Sequence, residues 1–113
     1  MVDKQEELVE ISMQIILHAG NARTHCTDAV QCAYQGDGAQ ADALLQEAKE
    51  EIVLAHNAQT SVIQQEAQGA KYDLPVLFIH AQDTLMTIMS ELNMSRELIR
   101  LYKYIQLHSA AEK

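Results

Sequence analysis

Residues that break helices are rare in this chain and are concentrated at two places. Gly36 and Gly38 flank Asp37 at the first, and Gly69 and Pro75 bracket the second. Between these places Ala, Leu, Ile, Gln, Glu and Met predominate, and all of them favour or tolerate a helix. Because only two segments interrupt the helical pattern, the sequence predicts three long helices, and no segment shows the alternation typical of strands.

The three helices are predicted over about residues 5–34, 39–67 and 74–108, in a single domain that comprises residues 1–113. In each helix apolar residues recur at steps of three, four or seven, as expected for one buried face. At the start of the third helix, Asp73 is predicted as the N-cap and Pro75 falls in the first turn. Short links between long helices predict an all-α fold, an antiparallel up-down-up three-helix bundle.

Two of the helices carry more apolar surface than the core of such a bundle requires. On the third helix, additional apolar residues widen the main stripe to an arc of about 200°, and these are Phe78, Ile79, Met86 and Met89. The first helix has a second stripe away from its main seam, formed by Val9, Met13, Ile16 and Gly20. This surplus indicates self-association, so a homo-oligomer is expected.

The net charge and the cysteines indicate which classes of partner and which cellular compartment to expect. The chain has 16 acidic and 8 basic residues, a formal net charge of −8, so neither nucleic acid nor an anionic membrane surface is expected as a partner. No apolar run is long enough to span a bilayer, and the N-terminal residues do not resemble a signal peptide.

Cys26 and Cys32 point in different directions on one predicted helix and are interpreted as small core residues. A reducing, cytoplasmic location is expected.

A polar strip interrupts the apolar surface of the third helix. His80, Asp83, Thr84 and Thr87 stand at i, i+3, i+4 and i+7, so they are neighbours on one face. A neutral imidazole is a nucleophile near pH 7 and can accept a phosphoryl group, while nearby hydroxyls can bind phosphate oxygens. Asp83 lies at the apolar edge of the strip, where a carboxylate needs a partner such as Mg²⁺. However, a histidine and an aspartate at this spacing more often belong to a solvated polar face than to a functional site.

Three segments resemble one known family in order and spacing. HAQDTLMT at residues 80–87 resembles the active-site segment of the lactose/cellobiose-type enzyme IIA (also N,N′-diacetylchitobiose) of the sugar phosphotransferase system. MQIILHAGNAR at 13–23 is similar to the first helix of that family. AKE at 48–50, followed by AHNAQT at 55–60, is similar to its second helix. The likeness extends over nearly the whole chain.

This resemblance implies a cytoplasmic three-helix protein that assembles as a homotrimer. It implies that the phosphocarrier HPr donates a phosphoryl group to a histidine Nε2, which passes it to a cysteine of the cognate IIB component. The membrane component IIC then takes up a β-linked disaccharide, which becomes phosphorylated. Carried over to this chain, His80 is the phosphorylated, catalytic residue, and Asp83 is the metal ligand through which three subunits share one Mg²⁺. The sequence does not indicate which sugar is transported.

One position departs from the pattern of many relatives. Thr84 follows Asp83 where those relatives carry a second histidine. A hydroxyl can donate a hydrogen bond, but it cannot place positive charge near the phosphate. We therefore expect transfer to be retained, with an altered rate or pH dependence.

The remaining polar candidates are assigned structural roles. His18 falls on the seam of the first helix and is expected to be a satisfied core residue, while His25, His56 and His108 are expected at the surface or its boundary. Arg23 is expected to form a surface salt bridge rather than to meet a phosphate. Gln59 interrupts the apolar stripe of the second helix, so it either bonds a partner helix or lines the site.

Two other functions explain part of the pattern. A non-enzymatic helical adaptor or oligomerisation module would account for the surplus apolar surface and leave His80 inert. A two-component histidine phosphotransfer domain is also a helical bundle, but it typically places Lys and Gly soon after its histidine, where this chain has Ala-Gln-Asp-Thr. A di-iron bundle would need repeated Glu-x-x-His pairs, which the sequence lacks.

Overall fold

The computed structural model describes residues 3–73 and 75–111 and contains three helices. Helix α1 covers Lys4–Tyr34, α2 covers Gly38–Ala67 and α3 covers Val76–Ala111. The bundle is elongated, with extents of 66 × 22 × 19 Å. Over the described residues no strand is present, which confirms the predicted all-α class.

Local sequence explains where the first two helices begin and end. Asp3 caps α1 by accepting a hydrogen bond from the Glu6 amide, and Asp37 caps α2 by accepting one from the Gln40 amide. Gly36 and Gly69 follow the ends of α1 and α2 with φ values of 94° and 103°. Other residues rarely adopt this left-handed conformation, so both helices end where the sequence supplies glycine.

The start of α3 differs from the prediction. The amides of Phe78 and Ile79 donate to the carbonyl of Pro75, and the helix begins at Val76. Pro75 therefore occupies the cap position that was predicted for Asp73, two residues earlier. The carbonyl of Asp73 instead accepts a hydrogen bond of 2.9 Å from the Gln5 side chain, which ties the α2–α3 link to α1.

Side-chain pairs between helices establish the direction of each helix. His18 and His25 on α1 contact Glu51 and Glu47 on α2, so α1 and α2 run antiparallel. Between α2 and α3, the pairs Gln59–Gln82 and Asp42–Lys103 show the same reversal of order. Arg23 of α1 pairs with Glu91 of α3, in the same order as the Gln5–Asp73 contact, so these two helices are parallel. The arrangement is an up-down-up bundle.

The core combines many alanines on α1 and α2 with larger apolar side chains from all three helices. Alanines at 19, 22, 29, 33, 41, 48 and 55 are buried, which lets the first two helices approach closely. The larger buried apolar side chains come from all three helices: Leu8 and Ile15 from α1, Leu45, Ile52 and Val62 from α2, and Phe78, Leu85, Ile88, Leu92 and Ile99 from α3. Each such side chain contributes about 1.5–3 kcal/mol when fully buried. This packing fixes which side of α3 faces solvent.

The opposite side of α3 is largely apolar and exposed. We call it the outer face of α3, and it comprises Ile79, Asp83, Met86, Ser90, Met94, Leu98, Leu101, Ile105 and His108. Ile79 and Met86 are 46% and 57% exposed, as the surplus apolar arc required, but Phe78 is only 2% exposed and belongs to the core. None of the three helices, over the residues described, has the length and apolar character needed to cross a bilayer.

Candidate functional site

His80 lies one turn into α3 and is exposed. Phe78, Ala81 and Leu85 are buried on the other side of the helix, so packing holds the imidazole toward solvent. Among the described residues, the rings of His18, His56 and His108 form hydrogen bonds, and the ring of His80 forms none. The ring of His80 is therefore open to an incoming partner.

The other residues of the polar strip follow His80 along the same side of α3. Asp83 and Thr87 are exposed and Thr84 is half-buried. Side chains three, four and seven positions apart on a helix share one side, so the hydroxyls of Thr84 and Thr87 lie along the same ridge as the imidazole. The strip offers one nucleophile, two hydroxyls and one carboxylate.

Asp83 belongs to the outer face and has apolar neighbours along it. Ile79 precedes it by four residues and Met86 follows it by three, and both are exposed. Within the described part of one chain, no three His, Cys, Asp or Glu side chains are grouped as a metal site. The described part of one chain therefore does not by itself complete a metal site around Asp83.

Arg23 forms the salt bridge expected of it. Its Nε donates to Glu91 Oε2 at 2.9 Å, and both side chains are about half exposed. Glu91 lies 11 residues after His80, which is about 16 Å along a helix axis. The guanidinium cannot reach a phosphate on His80 of the same chain from this position, so Arg23 joins α1 to α3.

A groove of about 570 Å³ runs between α1 and α3, from Thr87 of the polar strip toward the C-terminal end of α3. Its wall includes Val30, Met94 and Leu98, with the Arg23–Glu91 pair at its rim. His80 does not line it. The groove continues the exposed apolar surface of α3, and Thr87 is the one residue of the polar strip in its lining.

Gln59 bonds a partner helix, which was one of its two predicted roles. It is 8% exposed, and its Nε2 donates to Gln82 Oε1 at 2.9 Å. Gln82 lies between His80 and Asp83 in sequence. The bond joins α2 to α3 at the level of the site, and the identity of this partner could not be read from helical spacing.

The other four histidines have partners of their own among the described residues. His18 Nδ1 lies 2.6 Å from Glu51 Oε2, with both side chains 23% exposed, so it is satisfied at the α1–α2 boundary rather than deep in the core. His25 approaches Glu47 at 3.5 Å. His56 and His108 are exposed, as expected.

The cysteines are structural. Both are free, Cys26 is buried and Cys32 is partly buried. Desolvation by burial raises the pKa of the Cys26 thiol from its ordinary value, with a smaller lowering by a hydrogen bond from Ser95. A thiol held in its protonated form is a poor nucleophile, so Cys26 is a core side chain rather than a reactive group.

Comparison with known proteins identifies the family. Residues 10–103 match the family described as the PTS system, Lactose/Cellobiose specific IIA subunit. This chain belongs to the lactose/cellobiose-specific IIA family of the phosphotransferase system. The resemblance found in the three segments of sequence is thereby confirmed, and the protein is a component of a phosphotransferase system.

Individual relatives of this IIA protein agree in sequence and in fold. The lichenan-specific phosphotransferase enzyme IIA component of Bacillus subtilis (strain 168) is 45% identical over 100 residues, covering 88% of this chain and 91% of the relative. The crystal structure of the cellobiose-specific enzyme IIA of Bacillus anthracis matches with a TM-score of 0.86 and 43% identity, covering 95% of both chains. The chitobiose IIA of Escherichia coli, solved in complex with HPr, matches with a TM-score of 0.76 and 32% identity, covering 88% of this chain and 96% of that chain.

Proposed function

We propose that this IIA protein is a cytoplasmic phosphocarrier that accepts a phosphoryl group on His80 and passes it on. The observation that carries the proposal is the exposed, open imidazole of His80 within a segment that resembles the active site of the family. Membership of the IIA family supports the same role. The adaptor alternative explains the apolar outer face but gives no reason for a histidine, a carboxylate and two hydroxyls on one ridge.

The chemistry requires only groups that α3 presents. The lone pair of the neutral His80 Nε2 attacks the phosphorus of the donor, the Nε2–P bond forms, and the bond to the donor breaks with its electron pair returning to the donor. Thr84 and Thr87 donate hydrogen bonds to the phosphoryl oxygens as the phosphoryl group arrives. In the second half of the cycle a thiolate attacks the same phosphorus, and His80 recovers its lone pair.

HPr is the proposed donor and a cysteine of the cognate IIB component the proposed acceptor. The chitobiose IIA relative forms a complex with HPr, which supports the first assignment for this chain. The exposed position of His80 gives either partner access to the nitrogen. The transported sugar is proposed to be a β-linked disaccharide, taken up through the membrane component IIC.

The proposed assembly is a parallel homotrimer around the outer face of α3. That face is largely apolar and is exposed along the length of the helix, which favours burial against copies of itself. Asp83 would then bring three carboxylates to the axis, where one Mg²⁺ would neutralise charge that is otherwise costly to bury. The metal would offset the repulsion between the three carboxylates and would take no part in the transfer step.

Phosphorylation by purified components tests the proposal against the adaptor. The protein is incubated with phosphoenolpyruvate, enzyme I and HPr, and its intact mass is measured. Wild type and His56→Ala, which alters another exposed histidine, should each gain one acid-labile, base-stable phosphoryl group, and His80→Ala should gain none. Wild type without an adduct would favour the adaptor, and a labelled His80→Ala would place the site elsewhere.

A further inference from the structure

The outer face of α3 carries a second ionisable residue at its far end. His108 is exposed and lies on the same side of the helix as Asp83. At 100° per residue the two positions differ by only about 20° around a straight helix. They are 25 residues apart, which corresponds to about 37 Å along the axis. Leu101 and Ile105, both exposed and apolar, occupy the positions that precede His108 on this face.

In the proposed trimer, the position of His108 brings its three copies together. In a parallel assembly around the outer face, each residue of the face meets its own two copies near the axis. Three His108 side chains then converge at one end of the seam, just as three Asp83 side chains converge near the other. The inference below rests on this proposed arrangement.

The His108 ring is held in the tautomer that a metal ligand requires. Its Nδ1 lies 2.9 Å from the backbone carbonyl oxygen of Tyr104. A carbonyl can only accept, so Nδ1 carries the proton and donates, and Nε2 of the neutral ring keeps its lone pair. The ring also stacks on Tyr104, with centroids 3.8 Å apart and an interplanar angle of 29°. Metal-binding histidines characteristically donate their other N–H to a carbonyl or carboxylate, which fixes the tautomer and the ring.

We propose that three His108 side chains, one from each subunit, form a transition-metal site at the C-terminal end of the α3 seam. Three neutral imidazole nitrogens suit an ion of the zinc class, with water in the fourth position of a tetrahedron. This chemistry differs from that of the Asp83 layer, whose carboxylates suit Mg²⁺. The bound ion clamps the ends of the three helices and has no contact with the phosphoryl group on His80.

Zinc titration of the untagged, chelator-treated protein tests this site. The measurements are calorimetric stoichiometry with Zn²⁺ alone and the shift of the thermal midpoint on adding Zn²⁺. Wild type should bind one Zn²⁺ per three chains and melt at a higher temperature with it. His108→Ala should lose both effects, whereas His56→Ala and Asp83→Leu should keep them. Binding that survives in His108→Ala, or a trimer that binds no Zn²⁺, overturns the proposal.

Two additional readouts separate this inference from the proposed function. Sedimentation of the metal-free protein reports whether the trimer exists, and phosphoryl uptake from HPr reports on His80. A trimeric, phosphorylatable protein without the His108-dependent Zn²⁺ site refutes the metal site alone. A monomeric wild type refutes the trimer and the metal site together, while leaving phosphoryl transfer to be judged by the uptake assay. His108→Ala should accept phosphate at the wild-type rate.

Discussion

Thr84 lies one helical turn after His80 on the same side of α3, half-buried beside an imidazole that is exposed. The pair places a hydroxyl, rather than a second ionisable ring, next to the nitrogen that is proposed to carry phosphate. A hydroxyl has the same charge throughout the physiological pH range, so it stabilises the phosphoryl oxygens equally on both sides of neutrality.

Thr84→His should therefore give phosphoryl acceptance a new pH dependence. A histidine at this position becomes positively charged as the pH falls through about 6.5, and that charge attracts the phosphoryl oxygens. The rate of phosphorylation by phospho-HPr, measured from about pH 5.5 to about pH 8.5, should rise at the acidic end relative to wild type. Thr84→Ser is the control and should follow the wild-type profile. An unchanged pH–rate profile in Thr84→His would show that residue 84 does not set the pH dependence of phosphoryl acceptance.

Alkaline stability should depend on Cys26. Burial raises the pKa of this thiol in the folded chain above its ordinary value of 9.0, so the folded state holds the proton more tightly than the unfolded state. Its contribution to the free energy of unfolding is present below the unfolded pKa and is lost as the pH rises toward the folded one. Urea unfolding at about pH 8 and about pH 10 should show a smaller loss of stability for Cys26→Ala than for wild type. Cys32→Ala, which alters a partly buried thiol, should behave like wild type, and equal losses in all three proteins would contradict the assignment.

Met86→Glu should dissociate the proposed trimer without unfolding the chain. Met86 is 57% exposed in the single chain, so a carboxylate there is solvated until copies pack against it. Three like charges in one apolar layer would be costly to bury. Leu54→Glu is a matched control, because Leu54 is 50% exposed on α2 and lies away from the outer face of α3. Sedimentation should give a helical monomer for Met86→Glu and a trimer for Leu54→Glu, whereas an intact Met86→Glu trimer would show that another surface holds the subunits.

Asp83→Leu should keep or tighten the trimer and abolish Mg²⁺ binding at the axis. In the proposed trimer the change would replace three buried charges by apolar groups, and such replacements are often neutral or stabilising by about 1–4 kcal/mol. The thermal midpoint of wild type should rise with added Mg²⁺, and that of the variant should not respond. A Mg²⁺ response that persists in Asp83→Leu would show that other residues hold the ion.

The sequence was sufficient to predict the features that depend on local signals. Gly36 and Gly69 follow the two helix ends with positive φ, and Asp37 caps α2, so short-range chemistry defines those boundaries. The polar strip around His80 followed from spacing alone because steps of three, four and seven share one side of any helix. The start of α3 was harder to predict from the sequence, since both Asp73 and Pro75 are compatible with a helix terminus.

Other features depend on which helices meet, and periodicity does not contain that information. Arg23 could have faced solvent or a phosphate, and only the parallel pairing of α1 with α3 brings it to Glu91. Gln59 needed a partner, but the choice of Gln82 depends on the register between α2 and α3. Phe78 was assigned to the surplus apolar surface because its angle on α3 is ambiguous, and packing within the bundle buries it.

The most direct test of the account locates the phosphoryl group on the folded protein. Wild type is phosphorylated through phospho-HPr, and nitrogen-15 NMR of the histidine rings then identifies the modified atom. The account predicts phosphate on Nε2 of His80. Phosphate on another histidine, or an unmodified His80 ring in a protein that is otherwise folded, would contradict it.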